Sequence, residues 1–75
     1  MSASPSASPL SPRQVECLRW VSEGETSPEI GRRLGLSPRT VEQYIGEACQ
    51  RLQARSRAHA VARAIALGLV RNPDL

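Results

Sequence analysis

Apolar residues recur along this chain at intervals of three and four from Val15 onward, and a Ser or Thr stands before each run. That spacing is the period of a helix with one buried face, and the hydroxyl residues are natural helix caps. Ser11 precedes Pro12, with Gln14 three residues after the serine. This is a capping box with proline at the first helical position, where its missing N–H costs nothing. Val15, Leu18 and Val21 form the first stripe, with Cys17 beside them and Gly24 past its end. A helix is predicted over about 12–23.

Two start signals compete for the second helix. Thr26 with Glu29 makes a capping box, while Ser27 before Pro28 makes a cap with proline in the first turn. Either start gives a short helix, about 28–34, with Ile30 and Leu34 inward and Gly35 as its left-handed stop. Ser37 and Pro38 open a third helix, about 38–53. Val41, Ile45, Ala48 and Leu52 share its buried face and Tyr44 lies at the edge. Ser56 caps a fourth helix, about 57–67, with Ala58, Val61, Ala62 and Ile65 inward and Gly68 closing it. No segment reads as a strand. The fold class is all-α, a compact four-helix bundle.

The ends read differently. MSASPSASP, residues 1–9, has no charge and almost no apolar bulk, which predicts disorder. It lacks the basic segment and apolar run of a signal peptide. The RNPDL tail, residues 71–75, is expected to fray. The remaining domain, residues 10–70, is near the lower limit for an unaided core, about 60 residues. No apolar run approaches the ~18 residues of a membrane span, so no membrane partner is expected.

Helices two and three are separated only by Gly35 to Ser37. Gly31 offers a small residue where the two cross, Gly35 a turn, and Ile30 and Val41 apolar anchors on either side. A helix-turn-helix demands this arrangement, and it leaves the third helix prominent enough to enter a DNA major groove.

Charge sharpens the picture. All ten basic residues are arginine. Residues 1–31 hold two of them against four glutamates, whereas residues 32–63 hold seven against Glu42 and Glu47. The net charge of +3 therefore arises in the half that contains helix three. A basic half suits a polyanion, although a solvated arginine-rich surface would carry the same charge. Cys17, Cys49 and the single His59 offer no metal-ligand spacing, and no metal or cofactor is implied. The cysteines read as buried thiols in a reducing compartment. An enzyme is a poor fit: there is no Gly-rich phosphate loop, no His/Cys/carboxylate cluster, and little chain to enclose a pocket.

The run LSPRQVECLRWVSEGETSPEIGRRLGLSPRTVEQYIGEACQRL, followed by ARSRAHAVARAIALGLV, resembles the LuxR/GerE-type DNA-binding domain over residues 10–70. Its Leu-Arg-Trp around Trp20 and Ala-Val-Ala-x-Ala around Val61 are most similar to the quorum-sensing branch. The resemblance implies a bacterial transcription regulator working in the cytoplasm on the nucleoid. Its third helix would read duplex DNA, and its fourth would pair with another copy. By position, Thr26, Ser27, Ser37, Arg39, Thr40, Tyr44 and Arg51 would face sugar and phosphate, and Glu42, Gln43 and Gly46 would face bases. The division has a physical basis, because hydroxyls and amides at helix starts suit phosphate while an exposed stripe reaches base edges.

The chain also departs from the family. Gln14 replaces a usual Glu, Tyr44 a common His, and Arg51 a common Lys. Glu42 and Gly46 occupy positions where many members carry Lys, Arg or Asn. Glu42 would accept from cytosine N4 and Gln43 would pair with adenine, or both are solvated surface residues and Gly46 is drift. On the first reading Glu42 trades affinity for discrimination. Arg55 and Arg57, flanking the fourth cap, would touch phosphate or a partner chain. Trp20 reads as a packing residue and His59 as a surface or cap-associated one. Ala60, Ala64 and Leu67 are expected to form a small outer face on helix four for a weak homodimer. The rival class is an interaction module that has lost DNA binding and pairs through helix four with a full-length regulator. Glu42 and Gly46 favour that reading; the phosphate-facing set from Ser37 to Thr40, with Arg51, opposes it.

Overall fold

The computed structural model describes residues 8–71. Among them are four helices and no strand: α1 (Pro12–Ser22), α2 (Ser27–Leu34), α3 (Pro38–Arg51) and α4 (Arg57–Ala66). Of the expected disordered segment 1–9, residues 1–7 lie outside the described residues. So do residues 72–75 of the expected frayed tail.

Each helix begins where a side chain can take up its free amides. Ser11 Oγ accepts from the Gln14 amide at 3.2 Å, and Gln14 Oε1 accepts in return from the Ser11 amide at 2.9 Å. Of the two candidate caps of α2, Thr26 is the one used, in a reciprocal box with Glu29. Ser27 becomes the first helical residue and Pro28 the second. Ser37 and Ser56 cap α3 and α4 by accepting from the Thr40 and His59 amides, each at 3.1 Å. The C-terminal ends fall one or two residues short of the predicted ones for α1, α3 and α4. For α3 the reason is Gln53, whose φ of 53° takes the chain left-handed without a glycine to signal it.

The core has two parts. Cys17, Ile30, Val41 and Ile45 join α1, α2 and α3, flanked by Trp20, Val21, Leu34, Leu36 and Tyr44. Leu18, Ala48, Leu52, Ala60 and Ala64 join α1, α3 and α4, closed off by Leu10 and Val70 from the two ends. Cys49 packs against both parts. Cys17 and Cys49 are free thiols, and burial pushes the Cys17 pKa up, leaving it protonated and inert.

Helix α4 is rotated from its expected orientation. Ala60 and Ala64 are fully buried, Val61 and Ile65 are half-buried beside them, and Ala58 and Ala62 are exposed. Ala60 and Ala64 therefore cannot belong to an outer pairing face. Their small size lets α4 lie close against the bundle, and the larger Val61 and Ile65 fill the margin. Leu67 alone of that expected trio stands outside, 53% exposed.

Candidate nucleic-acid interface

The helix-turn-helix is built around a close crossing. Gly31 is buried, and a Cβ there would drive into the backbone carbonyl of Leu36. Gly35 takes a left-handed φ of 72°, and the Leu36 amide donates back to the Gly31 carbonyl at 2.8 Å. The chain thus turns sharply from α2 into Ser37 and starts α3 at once. Fourteen residues of α3 run for about 21 Å, a length and girth that a major groove admits.

With Val41, Ile45 and Ala48 buried, the opposite surface of α3 presents Arg39, Gln43, Gly46, Glu47 and Gln50, all exposed. Gln43 and Gly46 thus stand on the outward surface expected of base-facing residues. Glu42 is exposed at the flank, but its carboxylate is engaged within the protein. The Ser27 hydroxyl donates to one oxygen, and Arg57 Nη2 donates to both, at 2.8 and 3.0 Å. The Ser27 hydrogen bond, then the Arg57 guanidinium, hold the Glu42 carboxyl below its ordinary range.

The expected phosphate-facing residues divide similarly. Arg39, Ser37 and Thr26 are exposed, and Thr40 is half-buried with its Oγ1 accepting from Ser37 Oγ at 2.9 Å. Arg51 is exposed, and its Nη1 donates to the Pro9 carbonyl at 3.3 Å. Tyr44 is half-buried against the α1–α2–α3 core. Ser27 is buried, 7% exposed, and its hydroxyl is directed to Glu42 instead of solvent.

Sequence reasoning missed several further pairings. Arg33 forms a bidentate pair with Glu25, whose carboxyl is held low mainly by that hydrogen bond. The same guanidinium lies 3.9 Å from the Trp20 ring centroid, with Arg19 at 4.8 Å. Trp20 is half-buried in the core margin, so the two arginines cover its open part. Across the interface between α1 and α3, Gln14 Nε2 donates to Glu47 at 3.1 Å. His59 is tied into the fourth cap, its Nδ1 accepting from the Arg55 amide at 3.0 Å.

Among the described residues no three His, Cys, Asp or Glu side chains gather as a metal site, and no helix is long and apolar enough to cross a membrane.

Comparisons with known proteins agree with this geometry. Residues 8–64 match the model of the bacterial regulatory proteins of the luxR family. The chain is 41% identical over 69 residues to the quorum sensing-dependent transcriptional regulator VjbR of Brucella ovis, covering 92% of this chain and 27% of that protein. It is 44% identical over 62 residues to the quorum sensing-dependent regulator RpaR of Rhodopseudomonas palustris, covering 83% and 26%. The chain thus spans about a quarter of the length of these curated relatives. The solved structure of the transcription factor GerE superposes with a TM-score of 0.81 at 25% identity, over 84% of this chain and 94% of that one. The cap-turn-cap arrangement of α2 and α3, the four-helix fold and these matches together make the chain a member of the luxR family of bacterial regulatory proteins, a family of transcription regulators, not of enzymes.

Proposed function

We propose that this domain binds duplex DNA in bacterial transcription control, with α3 in the major groove. The observation that carries the reading is the exposed surface of α3, Arg39, Gln43, Gly46 and Gln50, projecting from a tightly closed helix-turn-helix. Gln43 reads a base edge, and Gly46 lets the helix approach closely. Arg39, Ser37, Thr26, Thr40, Tyr44 and Arg51 hold the phosphate backbone around it, which sets register without reading sequence. Quorum-sensing regulators among the relatives support a role in the same class of control, in the cytoplasm on chromosomal DNA.

One domain offers a small interface. Affinity therefore comes from a weak homodimer spanning two half-sites about one DNA turn apart. Pairing through α4 uses Leu67 with the exposed Ala62, Arg63 and Ala66, not the buried Ala60 and Ala64.

Fluorescence anisotropy with labelled mixed-sequence duplex DNA, titrated at low and near-physiological salt, tests the reading. Binding that weakens steeply with salt is expected, because phosphate contacts release counterions. No binding at low salt by a chain that circular dichroism finds helical would overturn it and favour an interaction module pairing through α4 with a full-length regulator.

A further inference from the structure

Three helices meet at the carboxylate of Glu42. Ser27 stands at the first position of α2, Arg57 at the first position of α4, and Glu42 in the second turn of α3. Helices α2 and α4 do not pack against each other, so this carboxylate joins two otherwise separate helix starts. Ser27 holds the carboxylate from its buried side, and the guanidinium of Arg57 lies across both oxygens from the open side. The Arg57 and Glu42 side chains remain 43% and 50% exposed. An ion pair this open adds little to stability. Its consequence lies in the charge offered to a partner, because one arginine of the basic half is neutralised at the rim of the reading helix.

We propose that Glu42 masks Arg57, withholding one phosphate contact and thereby setting how weakly the domain holds DNA of the wrong sequence. The inference rests on the DNA-binding reading above. The Ser27 hydroxyl fixes the orientation of the carboxylate, so Arg57 meets a preformed acceptor. A phosphate gains this guanidinium only by displacing it from two oxygens already in place. Glu42 thus acts as a specificity-determining residue through Arg57, without itself touching a base.

Salt titrations of four proteins on mixed-sequence duplex DNA test this: the unsubstituted chain, Glu42→Gln, Arg57→Ala and the double variant. Glutamine keeps an oxygen for Ser27 and adds no bulk, and circular dichroism checks that all four are folded. Each phosphate contact contributes about 0.9 to the slope of log K against log salt, or roughly 3.5-fold in affinity between 50 and 200 mM. Glu42→Gln is expected to steepen the slope by about one contact. Arg57→Ala alone should change it little, and in the Glu42→Gln background it should remove the whole gain. Equal losses from Arg57→Ala in both backgrounds would overturn the mask while leaving DNA binding intact. So would a gain in Glu42→Gln that survives loss of Arg57, since Glu42 would then act by simple repulsion. If none of the four binds at low salt, the DNA-binding reading falls and takes the mask with it.

Discussion

The amide of Leu36 donates to the carbonyl of Gly31 at 2.8 Å, and the carbonyl of Leu36 fills the space that a side chain at Gly31 would need. The turn between the two central helices is closed by backbone on backbone. Gly31→Ala therefore meets an obstacle that cannot rotate away. Overpacking of this kind costs about 1–3 kcal/mol, against roughly 1 kcal/mol gained in helix propensity. The net effect is a loss, and for so small a domain each kcal/mol lowers Tm by roughly 4–8 °C. Thermal melts followed by circular dichroism check this; an unchanged Tm would mean that the turn opens freely.

Gly46 is the opposite case. No atom lies within 4 Å of a Cβ built there, and its surroundings in α3 are open solvent. Gly46→Ala should stabilise the free domain by about 0.5–1 kcal/mol. If the glycine gives clearance to DNA, the same variant binds duplex more weakly while melting higher. Stability and affinity rising together would leave Gly46 without a role in docking.

The local signals in the sequence carried most of the fold. Ser11, Ser37 and Ser56 cap as their spacing implies, and Gly31 and Gly35 shape the turn. Two kinds of information were not legible. The phase of α4 was ambiguous because alanine has little hydropathy contrast. The eye follows Val61 and Ile65, while the closest approach is made by Ala60 and Ala64. The partners of Glu42 were invisible because Ser27 and Arg57 each lie fifteen residues away, one on either side, and no periodicity links them. Side-chain pairing across helices depends on where the helices cross, which spacing within one helix does not encode.

Gln14 illustrates how such a pairing can account for a departure from the family pattern. Its amide closes the α1 capping box through oxygen and donates to Glu47 through nitrogen. A carboxylate at position 14 would keep the first contact and lose the second, placing two negative charges together. Gln14→Glu should cost about 1 kcal/mol, the usual worth of such a hydrogen bond. Making Glu47→Gln as well should restore most of it. Urea unfolding of the single and double variants measures the coupling; additive losses would mean that the two residues do not interact.

Acid should weaken the domain through two carboxylates. Glu42 is held below the ordinary glutamate value of 4.5 by Ser27 and Arg57, and Glu25 by Arg33. A depressed folded-state pKa means that the unfolded chain takes up protons first. The stability these pairs contribute is therefore complete above about pH 4.5 and is lost as the pH falls through the lower folded values. The Glu42 side chain is half exposed, so the loss through it should be modest, while that of Glu25 is largely covered by its surroundings. Unfolding measured from pH 6 to pH 3 should decline less for Glu42→Gln than for the unsubstituted chain. Parallel declines would show that the Glu42 carboxylate is not preferentially stabilised in the folded state.

Leu67 is the exposed large apolar side chain at the end of α4, and Ala62, Arg63 and Ala66 lie exposed on the preceding turns. A homodimer through α4 must use this surface, because Ala60 and Ala64 are occupied by the core. Leu67→Glu adds a charge where no core contact is made, so it should leave the melt of the monomer nearly unchanged, within about 0.5 kcal/mol. It should shift sedimentation towards the monomer at high protein concentration. It should also weaken binding to a duplex carrying two half-sites more than to one carrying a single half-site. Ala64→Leu serves as the contrasting variant: it overpacks the bundle and should lower stability by about 1–3 kcal/mol. Sedimentation that stays monomeric for the unsubstituted chain across the concentration series would remove the pairing, and a half-site would then have to be bound by one copy alone.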